Sequence, residues 1–126
     1  MTKPILCLDF DGVCHSYISG WKGAAEIPDP HVPGLFEFLE DACKVFRIQV
    51  FSTRSLAPGG RDAMVAWFYH ERKRWREGGG QGNEVLEIKF PTEKPPALVT
   101  LDDRAVTFTG VWPDVFELRR FKPWNK

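Results

Sequence analysis

The sequence predicts an α/β domain built on a parallel sheet. Three observations carry that expectation. Short apolar runs alternate with segments of helical period, glycine- and proline-rich breaks separate them, and acidic or hydroxyl residues follow the runs. At 126 residues the chain has room for one ordinary domain, residues 1–126, and not for separate cofactor and substrate halves.

Residues 4–9 are apolar nearly throughout and end in Asp9, as expected of a strand covered on both faces. Residues 12–34 have no sustained period, so they read as an irregular excursion with room for a small hairpin. Leu35, Leu39, Ala42, Cys43 and Phe46 then recur near helical spacing, which predicts an amphipathic helix. Residues 46–51 alternate apolar and polar and form a second strand, closed by Ser52-Thr53-Arg54-Ser55. After the Pro58-Gly59-Gly60 loop, a helix over 61–77 puts Ala63, Met64, Trp67, Phe68, Glu71 and Trp75 on one side. Gly78, Gly79 and Gly80 stop it. A third strand is expected over 85–90, a fourth over 98–101 and a short fifth over 106–108. Pro113 suits the first turn of a last helix, about 113–121.

Composition narrows the function classes. Seventeen Lys and Arg balance seventeen Asp and Glu, so no bulk charge pulls the chain towards nucleic acid or an acidic membrane surface. No apolar run approaches the roughly 20 residues that span a bilayer, and charge enters too early for a signal peptide; no membrane partner is expected. Cys7, Cys14 and Cys43 are odd in number and form no CxxC pair, which points to reduced thiols and a cytoplasmic setting.

Parallel strands all end on one edge, where open α/β sheets bind ligands. Asp9 and Asp11, Ser52, and Asp102 and Asp103 follow three different strands, so they should converge there. In Asp9-Phe10-Asp11-Gly12, two carboxylates call for a hard cation such as Mg²⁺, and Gly12 permits a close backbone approach. Ser52-Thr53-Arg54 offers a hydroxyl, backbone N–H groups and a guanidinium to phosphate oxygens. Lys94, stiffened by Pro95 and Pro96, can neutralise a phosphoryl group. Asp102-Asp103 supplies further carboxylates for a divalent metal. Taken singly, these motifs also read as ordinary acidic turns, a strand-to-helix turn and a surface lysine.

Taken together and in order, the four motifs resemble the haloacid dehalogenase-like (HAD) superfamily, whose members are mostly Mg²⁺-dependent phosphohydrolases. The likeness runs from Ile5 to Arg104. It implies a three-layer, Rossmann-like sheet flanked by helices. It makes Asp9 the nucleophile that becomes an aspartyl-phosphate. Asp11 becomes the general acid and base, its backbone carbonyl also meeting the metal. Ser52, or Thr53 in the other register, binds the phosphoryl group with Gly12 and Arg54 nearby, and Lys94 stabilises charge. Asp102 binds Mg²⁺ and Asp103 supports the site.

Neither gap between motifs holds a cap domain, so the site should be open to a large substrate or completed by a partner subunit. The expected substrate is a phosphomonoester, with a nucleotide or nucleic-acid end preferred. The alternatives are a phosphotransferase or phosphate-responsive switch, and a non-catalytic HAD-fold binding module. The basic segment from Arg72 to Arg76 reads either as a nucleic-acid contact or as a solvated helix face. Trp112 and Trp124 read as packing residues, and Lys122-Pro123-Trp124 as a tail tied to the domain.

Overall fold

The computed structural model describes residues 2–82 and 86–126. Its strands are β1 (Ile5–Leu8), β2 (Arg47–Val50), β3 (Ile88–Lys89) and β4 (Val99–Leu101). They form one parallel sheet in the order β3-β2-β1-β4. The helices are α1 (Leu35–Ala42), α2 (Gly60–Glu77) and α3 (Val115–Arg119), with a 3₁₀ turn at Thr53–Leu56. An α/β architecture with a parallel sheet is therefore what this sequence forms.

All four residues of β1 are buried, because it lies between β2 and β4. Leu6 and Leu8 join Ile48 and Val50 on one face, against Phe36 and Leu39 of α1 and Met64, Trp67 and Phe68 of α2. That face is the core. Its aromatic rings pack edge to face, with Phe10 and Trp67 centroids 5.0 Å apart and Trp67 and Phe68 also 5.0 Å apart.

The expected three layers reduce to two among the described residues. The crossovers β1→β2 and β2→β3 run the same way across the sheet, and right-handed connections keep their helices on one side. The β3→β4 crossover reverses direction, which would place a helix on the other face. Its chain is instead a proline-rich loop without helix, and α3 buries no residue.

Other departures are local. β3 is two residues long where a strand over 85–90 was expected, and Val85 lies outside the described residues. Residues 106–108 form no strand, and β4 is the edge of the described sheet. The excursion over 12–34 holds no hairpin; isolated bridges join Asp11 to His15 and His15 to His31. The last helix starts after Asp114, whose carboxylate accepts the Phe116 N–H at 2.7 Å. A cap on that carboxylate outweighs the proline signal one residue earlier.

The basic segment of α2 is neither free nor wholly solvated. Arg72 pairs with Glu40 at 2.7 Å, Arg74 with Glu71 at 3.0 Å, and the Trp75 indole N–H donates to Glu37 at 3.0 Å. The run thus ties α2 to α1. Trp112 and Trp124, expected to pack, are 84% and 67% exposed.

Candidate active site

Register aligns the strand ends. Leu8 sits opposite Val50 on one side and Leu101 on the other, the Asp9 N–H donates to the Leu101 carbonyl at 2.9 Å, and the Phe51 N–H donates to the Leu8 carbonyl at 3.1 Å. Asp9, Ser52 and Asp102 therefore leave the same edge of the sheet.

Three carboxylates meet there. Asp9, Asp102 and Asp103 each bring an oxygen within 4.8 Å of the others. Burial pushes the Asp9 carboxyl up to about 7; the Phe10 N–H works against this, while the charges of Asp102 and Asp103 and a hydrogen bond to Asp103 add to it. Two carboxylates share a hydrogen bond only if one holds a proton or a cation takes its place. Asp103 Oδ1 is buried with no partner. An all-oxygen, acidic donor set with an orphaned oxygen fits a hard divalent cation.

Gly12 makes this arrangement sterically possible. It adopts φ +83°, and a Cβ there would lie 2.2 Å from Asp103 Oδ2. Its first service is thus to seat Asp103, whereas substrate contact was the expectation.

Asp11 has other partners. Its carboxylate accepts from Arg54 Nε at 3.0 and 3.2 Å and lies 2.9 Å from His15 Nδ1. His15 is fully buried, and its Nε2 accepts the Asp29 N–H at 3.1 Å, so Nδ1 carries the proton and donates to Asp11. Burial alone would raise the Asp11 carboxyl, but His15 and Arg54 outweigh it and hold it below its ordinary value.

Arg54 was expected to bind phosphate, and the structure uses it differently. It is fully buried. Besides Asp11, its Nη1 donates to the carbonyls of Gly23 and Ala24 at 2.8 Å and of Glu26 at 3.3 Å. Its guanidinium lies 4.6 Å from the centroid of the half-exposed Trp21 ring. Only Nη2 is without a partner. Arg54 is the anchor that holds the excursion over 12–34 to the sheet edge.

The hydroxyls divide similarly. Ser52 is buried; its Oγ accepts the Arg54 N–H at 3.0 Å, capping the 3₁₀ turn, and sits 3.7 Å from Met64 Sδ. Thr53, the next residue, is exposed. Lys94 is exposed and makes no ion pair among the described residues. The structure therefore brings together Asp9, Asp102 and Asp103, seated by Gly12, and keeps Asp11 and Arg54 as a separate pair.

Sequence reasoning missed the parts played by His15 and Trp21. Its one available signal was His15 four residues after Asp11. The tail over 122–124, expected to be tied to the domain, is tied there: the Trp124 indole N–H donates to the Gly12 carbonyl at 2.8 Å. All three cysteines are free, and among the described residues no helix is long and apolar enough to cross a membrane. No family model, curated protein or solved structure matches this chain.

Proposed function

We propose that this chain is a capless, HAD-like, Mg²⁺-dependent phosphomonoester hydrolase acting through an aspartyl-phosphate on Asp9. The observation that carries the reading is the convergence of Asp9, Asp102 and Asp103 from two strand ends, with an orphaned Asp103 oxygen. Mg²⁺ held by these carboxylates supplies the positive charge that offsets repulsion between a carboxylate nucleophile and a phosphate dianion.

An Asp9 oxygen attacks phosphorus, and the bond to the leaving oxygen breaks with its electron pair. Asp11 gives that oxygen a proton. Water then attacks phosphorus, the bond to Asp9 breaks, and Asp11 takes the water proton. The second step needs the ionised Asp11 that Arg54 and His15 favour. The first needs its acid form, so it is easiest for substrates whose leaving group departs unprotonated. Thr53, exposed while Ser52 is committed to a cap, is the hydroxyl we assign to the phosphoryl group, with Lys94 adding charge.

A nucleotide or nucleic-acid end is the substrate class we favour. Trp21, half exposed and backed by Arg54, offers a face on which a base can stack. Free buried thiols are in keeping with a reducing, cytoplasmic setting. The test is Mg²⁺-dependent hydrolysis of an aryl phosphate, lost in Asp9→Asn with the circular dichroism unchanged. A panel of nucleotides, sugar phosphates and end-phosphorylated oligonucleotides then ranks substrates. Equal inertness of wild type and Asp9→Asn across that panel overturns the reading.

A further inference from the structure

Residues 104–126 form an arm that leaves the sheet after Asp103 and returns to it at Trp124. No residue of the arm is buried. Yet it is apolar: Phe108, Trp112 and Phe116 are 56%, 84% and 68% exposed, and Val111 and Val115 are 74% and 68% exposed. The arm is nonetheless pinned at both ends. The Arg104 N–H donates to the Asp102 carboxylate at 2.8 Å, and Trp124 bonds the Gly12 carbonyl. Phe108 and Trp112 lie 4.8 Å apart and give it an apolar face of its own.

Weighted by their exposure, Phe108, Trp112, Phe116 and Phe121 alone present roughly 500 Å² of surface. The largest apolar patch on a typical monomer is about 300–600 Å². Four aliphatic side chains, Val106, Val111, Val115 and Leu118, extend the arm towards the ~800 Å² that each partner gives to a stable interface.

The same chain carries a matching surface. Beside β4, a groove of about 220 Å³ is lined by Val13, Val32, Leu35, Phe38 and Leu101. It is smaller than the ~300–1,000 Å³ of a small-molecule pocket, so it suits an inserted side chain. From Arg104 to Lys126 the arm has five basic residues and two acidic ones, and at the groove α1 carries the exposed Glu37, which makes no ion pair among the described residues, whereas Glu40 is held by Arg72 and Asp41 by Lys44.

We infer that the arm is a homodimer surface: the arm of each copy packs against the α1–β4 groove of the other. Reciprocal exchange of identical contacts closes a two-fold dimer and leaves no open surface for further growth. It also covers β4, whose exposed edge is otherwise free to pair at random.

Light scattering after size exclusion, on the full chain over a dilution series, tests this. The expected mass is that of a dimer, falling towards the monomer on dilution. Trp112→Asp with Phe116→Asp should give a monomer with unchanged circular dichroism, since neither side chain is buried. Phe38→Asp, on the opposite surface of the contact, should do the same. A wild type that is monomeric at every concentration overturns the inference, and that measurement needs no variant to fold. A dimer that survives either set of substitutions overturns it equally.

Discussion

Arg54 is the position where sequence and structure assign different work, and its removal distinguishes them. The perturbation is Arg54→Met, which keeps the apolar stem and deletes the guanidinium. Two hydrogen bonds to Asp11 and three to backbone carbonyls vanish. Asp11 is left as a largely buried carboxylate with His15 as its remaining partner. Breaking a buried pair by removing one partner costs about 3–5 kcal/mol. Loss of the stacked Trp21 contributes about 0.5–2 kcal/mol, partly within that figure. Against a total stability of about 5–15 kcal/mol for a domain, the variant should sit near the edge of folding. Urea denaturation followed by tryptophan fluorescence reads this directly. The double variant with Asp11→Asn should be less destabilised than the sum of the two singles, by about 1–3 kcal/mol, because it buries no unpaired charge. An Arg54→Met protein that unfolds within about 1 kcal/mol of wild type, yet has a raised KM for phosphomonoesters, would show that Arg54 serves substrate and does not anchor the excursion.

Two further outcomes follow from the carboxylates. The Asp9 carboxyl is raised to about 7 from an ordinary 3.8, so the folded protein binds the extra proton and stability falls as pH rises between those values. Thermal melts in a chelator should therefore show a lower Tm at pH about 8 than at about 5, and Mg²⁺ should reverse the loss at the higher pH; a flat profile refutes it. Asp11→Asn should slow hydrolysis of alkyl phosphates more than that of aryl phosphates in the step that releases the alcohol, because aryl oxides leave without a proton. Burst kinetics separate that step from the water step, and equal slowing for both leaving groups would count against Asp11 as the acid.

The fold was legible where periodicity and burial agree. In β1 the uninterrupted apolar run signalled a strand covered on both faces, and in α2 the 3.6-residue spacing of Met64, Trp67, Phe68 and Glu71 marked the buried side. The carboxylate cluster was legible too, since strand ends share an edge in a parallel sheet and Asp9, Asp102 and Asp103 follow two of them. The pairing of Arg54 was not. A guanidinium after a strand looks the same in sequence whether it reaches outward to an anion or inward to Asp11, and only the fold of 12–34 supplies the three carbonyls that settle its direction. The arm was illegible for a related reason. Val106, Phe108 and Trp112 have the composition of core residues, but among the described residues no second helical layer exists for them to join.

The commitment of Arg54 to Asp11 fixes the charge balance of the pocket. Arg54 is held by Asp11, and Asp9, Asp102 and Asp103 form one cluster. Arg104 follows Asp103 directly in the chain, and Lys94 is exposed and makes no ion pair among the described residues. Three carboxylates within 4.8 Å of one another make the cluster strongly negative once Asp9 is ionised. A phosphate dianion entering it is repelled, whereas a divalent cation is drawn in and offsets most of that charge. In the proposed hydrolase Asp9, Asp102 and Asp103 would hold the cation, whose charge would let a phosphate dianion approach Asp9, with Lys94 adding to it.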